Sequence, residues 1–367
     1  DTADIERSVL QHSEQLDSLV ETAPDIDMSD YTSYDYVKLS DGTVFILHGD
    51  RQPVGWLRGI PVYGPDQHGD RELDGTSYAK YPLGQKAEMD ASFYRDSPDE
   101  QRSYQFPVTE VEEHFDPQDR TEDALDRLSR EKQSVYRQIE AIVEDEGGDL
   151  ALVGSHLLGL QTDDSDLDCA VISKEPIIDR VYDRLRNRDN VEETIEEAQR
   201  RITKTEKKKG AYSTRTIEKT YNIVREVTEL TVDGIEADLI PTHEPGTWQG
   251  YRLLAGDEEL AEQEVEGTVV DASHAHHDPV QYTIDTGSGT VDIVTFLPIF
   301  KDGFEKGDDV TVFGDRTADA STVYLREDDH YMGPASSFIQ RLLGRDGGEI
   351  VMEQPEQGPS SGSTWTY

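Results

Sequence analysis

The sequence predicts an α+β chain, with a core of mixed sheet and helices, a small β domain before it and a β-barrel after it. Three observations predict this. Val37 and Leu39, the turn Ser40-Asp41-Gly42, and Val44-Phe45-Ile46-Leu47 form a hairpin, followed to residue 83 by short apolar segments split by glycines. From 119 to 250, apolar stripes at helical spacing alternate with short apolar runs. From 265 to 325, five short strand candidates lie between turn signals, which suits a closed barrel of the OB type.

The elements follow in order. Residues 1–33 are polar and acidic. Ile5, Leu10, Leu16 and Leu19 are spaced for a short helix in an otherwise flexible segment, and Met28 is read as a native start. Residues 34–118 form the β domain and a linker, the part from 84 lacking a clear period. A helix is expected over 121–146, with Thr121 as N-cap and a stripe from Leu125 to Val143, stopped by Gly147-Gly148. Leu150–Val153 is a buried strand that runs into Gly154-Ser155, where Leu157, Leu158 and Leu160 suggest a short helix. Leu167–Ile172 is the next strand, and Pro176 opens a helix to Leu185. Asn190 is read as the cap of a further helix through Ile195, Ala198 and Ile202. Strands at 223–232 and 235–240 meet at Asp233-Gly234, closing a domain over 119–250. The barrel occupies 264–330, with strands at 265–271, 280–285, 290–296, 309–314 and 321–325. Residues 331–367 are expected to hold a short helix at 335–344 and a disordered tail.

The chain has 367 residues, 78 acidic against 35 basic, and a net charge of −43. No apolar run approaches the ~18 residues that span a bilayer, and no secretory apolar region opens the sequence. A cytoplasmic location without a membrane partner is therefore expected. The single cysteine, Cys169, excludes an internal disulfide and a cysteine zinc site, and is expected to pack as a small hydrophobe. Lysines number 12 against 23 arginines. Acidic, lysine-poor and globular together, the chain resembles cytoplasmic proteins of extreme halophiles. In molar salt the Debye length is about 3 Å, so the acidity does not exclude a nucleic-acid partner.

The strongest chemical signal is Val153-Gly154-Ser155, ten intervening residues, then Asp166-Leu167-Asp168. Glycine permits close backbone approach at a strand-to-helix turn, whose N–H groups and serine hydroxyl suit phosphate. Asp166 and Asp168 alternate on one face of a strand, and two carboxylates that close need a cation. Mg²⁺ suits carboxylates with substrate phosphates. Asp238, opposite in parity to Leu239, offers a third carboxylate from another strand, with Glu236 on the same face as the alternative.

These residues resemble the motif of the DNA polymerase beta-like nucleotidyltransferase superfamily: Gly-Ser, a spacer, Asp-x-Asp, and a later Asp. The flanking text Asp164–Asp168 and Ala237–Pro241 is similar to archaeal members, CCA-adding enzymes included. Gly42–Phe45 and Arg71…Gly75…Tyr78-Ala79-Lys80 are similar to an uncharacterised group of predicted archaeal, halophilic nucleotidyltransferases. The resemblance covers about 120–245 and departs from CCA-adding enzymes in placing the core mid-chain. It implies a polymerase-beta-like core that transfers an NMP or dNMP from a nucleoside triphosphate to a hydroxyl, in RNA or DNA, with release of pyrophosphate. Asp166, Asp168 and Asp238 would be catalytic and hold two Mg²⁺ ions, which Mn²⁺ can replace, while Gly154 and Ser155 would bind the nucleotide. Two other readings stand beside it, an inactive nucleotide sensor or nucleic-acid-binding adaptor and a protein-nucleotidylating enzyme.

Secondary signals are fewer. Residues 200–219 hold eight basic residues against two acidic, and Lys204 and Lys208 are assigned to the nucleotide. Tyr212 and Tyr221 flank this island. His274-Ala275-His276-His277-Asp278 carries transition-metal ligands but reads as a solvated loop between barrel strands. His156 either meets the triphosphate or packs in a first helical turn. Tyr282, Phe296 and Phe313 are each read as packing residues of the barrel rather than base-stacking platforms.

Overall fold

The computed structural model describes residues 27–49, 52–81, 89, 93–98, 103–163, 165–197, 226–244, 254 and 259–335, the last stretch lacking 298–299, 302 and 328. Three sheets carry the fold.

The first sheet comprises β1 (Tyr36–Leu39), β2 (Val44–Leu47), β3 (Trp56–Pro65), β4 (Arg71–Leu73), β5 (Thr76–Lys80), β6 (Arg95–Asp96), β7 (Tyr104–Pro107) and β8 (Val111–Phe115). The expected hairpin is β1–β2, antiparallel, with Val37 opposite Phe45. The segment without a clear period joins this sheet, because β7 pairs with β3 and β8 with β1. One face buries Val37, Leu39, Phe45, Leu57 and Phe106 in a core of its own. The other face sends Tyr34, Tyr36, Val44, Val62, Tyr63 and Tyr78 into the largest core of the molecule, shared with the elements that follow.

Two helices replace the single one expected at 121–146. Helix α1 (Pro117–Leu125) is capped by Asp116, whose side chain accepts the Gln118 N–H. Helix α2 (Arg130–Asp145) is capped by Ser129, which accepts the Lys132 N–H. Leu128 and Val135 lie seven residues apart and are both buried, so the apolar stripe runs through the break and conceals it. Thr121 lies inside α1. Its Oγ1 donates to the Pro117 carbonyl at 2.6 Å and accepts the Leu152 N–H at 2.8 Å.

The second sheet has the order β11-β12-β13-β10-β9. Its strands are β9 (Asp149–Leu152), β10 (Leu167–Ser173), β11 (Val191–Glu197), β12 (Glu226–Val232) and β13 (Ile235–His243). Helix α3 (Gly154–Leu158) follows β9, and α4 (Ile178–Arg186) follows β10. The helix expected after Asn190 is strand β11, paired antiparallel with β12 from Val191↔Val232 to Glu197↔Glu226. Its Val, Thr and Ile residues favour a strand. The spacing read as a helical stripe depended on Ala198 and Ile202, which lie outside the described residues. Asp233 (φ +51°) and Gly234 (φ +80°) turn β12 into β13 with the two left-handed residues of a tight hairpin.

The third sheet closes on itself. It consists of β14 (Leu260–His274), β15 (Val280–Asp285), β16 (Thr290–Thr295), β17 (Asp309–Thr317), β18 (Thr322–Leu325) and the additional strand β19 (Tyr331–Pro334). The order β14-β15-β16-β18-β17 returns to β14 through the β14–β17 pairing, which makes a closed five-strand barrel with β19 on β17. The β16–β18 pair is its parallel contact. Tyr282 and Phe296 are buried, and Phe313 stacks on Tyr331, so these aromatics pack as expected. The short helix expected at 335–344 beyond Ala335, the tail, residues 1–26 and the basic island of 200–219 lie outside the described residues. Among those described, no helix is long and apolar enough to cross a membrane.

Candidate active site

Strands β10 and β13 run parallel, with Leu167 opposite Ala237 and Asp168 opposite Asp238. This register brings the carboxylates of Asp168 and Asp238 to neighbouring positions on one face of the sheet. Leu167 and Cys169, on either side of Asp168, are fully buried. Asp166 lies just before β10 and is exposed. Glu236, the alternative third acid, lies opposite Thr231 of β12 and, two residues before Asp238 on β13, shares its face of the sheet.

The turn between β9 and α3 closes over Asp168. The Val153 N–H donates to the Asp168 carbonyl at 3.0 Å. Gly154 has φ +66°, and a Cβ there would lie 3.1 Å from Asp168 Cγ and 3.3 Å from its Cβ. Ser155 is buried in the first turn of α3. The end of that short helix is held by cationic side chains. Arg127 donates to the carbonyls of His156 (3.2 Å) and Leu157 (3.0 Å), and Arg71 of the first sheet donates to the Leu160 carbonyl.

Electrostatics single out Asp168. Burial, Asp238 and Asp166 push its carboxyl up to about 7, against the opposing pull of Lys80 and Lys132. A carboxyl that still holds its proton near neutrality because it is buried, with acidic neighbours adding to the effect, marks a place where positive charge would be welcome.

Several site residues were not foreseen. The Tyr36 hydroxyl accepts the Gly154 N–H at 2.9 Å, and burial, with Asp168 next, pushes its pKa well above the usual phenol range. Tyr63 is raised by burial first, with Asp168 contributing, while Arg71 lies over its ring at 5.4 Å. The Tyr34 hydroxyl donates to Asp278 at 3.1 Å and also feels Asp238. The first sheet is thus a wall of the site, which no local pattern could reveal because Tyr36 and Gly154 are 118 residues apart. A usable signal did exist for the lysines. The chain has only 12, and two of them, Lys80 and Lys132, act on Asp168.

His156 is buried, with Nε2 3.2 Å from Lys132 Nζ. Burial and then Lys132 hold its pKa below the usual imidazole value. Lys132 Nζ donates to the Ser165 carbonyl at 2.6 Å, directly before Asp166. His156 therefore packs as a neutral first-turn residue behind Lys132. Lys204 and Lys208 lie outside the described residues.

Carboxylate oxygens are the donors a hard divalent ion takes, although among the described residues Asp166, Asp168 and Asp238 are not drawn together within 4.8 Å of one another. Asp166, Asp168 and Asp238 offer only carboxylate oxygens, and the backbone beside them has room for no side chain at residue 154. Residues 135–231 match the family model described as a nucleotidyltransferase domain. The matched span contains Gly154, Ser155, Asp166 and Asp168 and ends before Asp238. No curated protein matches the chain.

Proposed function

We propose that the chain moves a nucleoside monophosphate from a nucleoside triphosphate to a hydroxyl acceptor, with nucleic acid as the acceptor class. The observation that carries this reading is the pairing of Asp168 with Asp238 on parallel strands beneath the Gly154 turn. The nucleotidyltransferase match over 135–231 supports it.

In this reading Asp166, Asp168 and Asp238 hold two Mg²⁺ ions. When bound, Mg²⁺ neutralises phosphate charge and lowers the pKa of an attacking hydroxyl. The chain's own groups do the rest. The first turn of α3, with the Ser155 hydroxyl, orients the β- and γ-phosphates. Asp238 lies at the acceptor side and takes the proton of the attacking hydroxyl. The acceptor oxygen bonds to the α-phosphorus as the bond to the β-phosphate oxygen breaks, and pyrophosphate leaves. Lys80 and Lys132 offset negative charge around Asp168. Tyr36 fixes the Gly154 amide. Lys204 and Lys208 are assigned to the triphosphate. Catalysis by this set is mainly positioning and charge stabilisation.

The test is pyrophosphate release from each NTP and dNTP with Mg²⁺ in molar KCl, with RNA and DNA supplied. Release by the wild type that is lost in Asp168→Asn supports the reading. Undiminished release by a correctly folded Asp168→Asn protein contradicts it.

A further inference from the structure

The loop of residues 274–278 is not a solvated loop. His277 is 1% exposed and Ala275 2% exposed, and the loop is docked against two other parts of the molecule. Asp278 accepts the Tyr34 hydroxyl at 3.1 Å and, through its carbonyl, the Ser33 hydroxyl at 3.4 Å. His276 Nε2 lies 3.2 Å from Asp179 of α4. The third contact is with His243, at the end of β13, five residues beyond Asp238.

His243, His274 and His277 form a compact group. One ring nitrogen from each lies within 4.8 Å of those of the other two. The His243 and His277 rings stack at 4.2 Å and 14°, and His274 lies at 5.0 and 5.2 Å from them. His277 Nδ1 is buried without a hydrogen-bond partner. A buried polar nitrogen left so is costly unless a further group joins it.

We propose that His243, His274 and His277 bind one divalent d-block ion, Zn²⁺ above all, as a staple between the barrel and the strand that carries Asp238. Three imidazoles are a familiar donor set for such an ion, with a fourth position for water. Zn–N bonds of about 2.0–2.1 Å in a tetrahedral site place nitrogens about 3.3 Å apart, so the His243 and His277 rings must turn out of their stacked arrangement for both lone pairs to reach one ion. Negative charge to balance the ion is close, because Asp271 and Glu175 both act on His274. Lys301, which acts on His277, donates to the Tyr34 hydroxyl at 3.4 Å. The ion differs from the Mg²⁺ of the carboxylate site, since neutral nitrogen donors disfavour a hard ion that prefers oxygen.

The test is Co²⁺ and Zn²⁺ binding to the full chain after chelation, in molar KCl with excess Mg²⁺ to fill the carboxylates and suppress loose binding to the acidic surface. The expected result is one equivalent of Co²⁺ with the visible absorption of a tetrahedral nitrogen site, displaced by Zn²⁺, together with a higher melting temperature. His277→Ala and His274→Ala should each weaken binding at least about 100-fold, while His276→Ala retains it. Should His277→Ala fail to fold, His274→Ala decides. Absence of stoichiometric Co²⁺ binding by the wild type overturns the proposal. Full binding retained in a folded His274→Ala or His277→Ala variant also overturns it.

Discussion

Gly154 and Asp168 are made for each other. The glycine sits at φ +66°, and any Cβ there would crowd the Asp168 carboxylate, its Cγ at 3.1 Å. The backbone of the turn after β9 therefore lies directly against the acid that burial, with Asp238 and Asp166, pushes up to about 7.

Gly154→Ala meets two obstacles. The left-handed backbone costs an L-residue about 1–2 kcal/mol. The new methyl must also displace Asp168. The variant is expected to fold with a lower melting temperature and to lose about 100-fold or more in transfer rate, as misplacement of about 1 Å can do. Circular dichroism with an activity assay checks this.

Asp168→Asn is expected to stabilise the metal-free protein while removing activity. The folded pKa of about 7 lies above the unfolded value of about 3.9. The folded state therefore holds the proton more tightly. Stability from this group is greatest at low pH and is lost as pH rises between those two values. Above pH 7 the ionised carboxylate is a net burden, which the amide lifts by on the order of 1–2 kcal/mol after discount for solvent. Thermal melts in chelator from pH 5 to 8 should show the wild type losing ground to the variant as pH rises.

Tyr36→Phe removes the hydroxyl that accepts the Gly154 N–H. The expected cost is about 1 kcal/mol of stability. As a positioning residue, Tyr36 should affect kcat more than KM for the nucleotide. Steady-state kinetics beside chemical denaturation separate the two effects.

Lys132→Met removes a charge that holds the Asp168 pKa down and frees the Ser165 carbonyl. Asp168 should then titrate at a higher pH, and divalent-ion affinity near pH 7 should fall. Lys132→Arg should restore most of it. Mn²⁺ binding followed by electron paramagnetic resonance across pH 6–8 measures both.

Much of the site was legible because its signals are local. Strand–Gly-Ser–helix and the strand around Leu167 put Asp168 beside the turn, and the parity of Leu239 puts Asp238 across from it, while Asp166 falls just before β10 rather than on it. The barrel strands were legible for the same reason, each bounded by turn residues. What escaped depends on distant pairing. Tyr34 and Tyr36 reach the site through the packing of the first sheet on the second. His243 meets His274 and His277 only because β13 ends at the barrel. Val191–Glu197 becomes a strand through its pairing with β12, which overrides a helical spacing. The break at Ser129 was hidden by apolar residues whose spacing continues across it.

The most direct test uses α-labelled nucleotides with RNA, DNA and a protein extract in molar KCl and Mg²⁺, comparing the wild type with the Asp166→Ala/Asp168→Ala double variant. The account predicts labelled nucleic acid with the wild type and none with the variant. Equal labelling by both proteins, or wild-type protein that binds nucleotide and never transfers label, would contradict it.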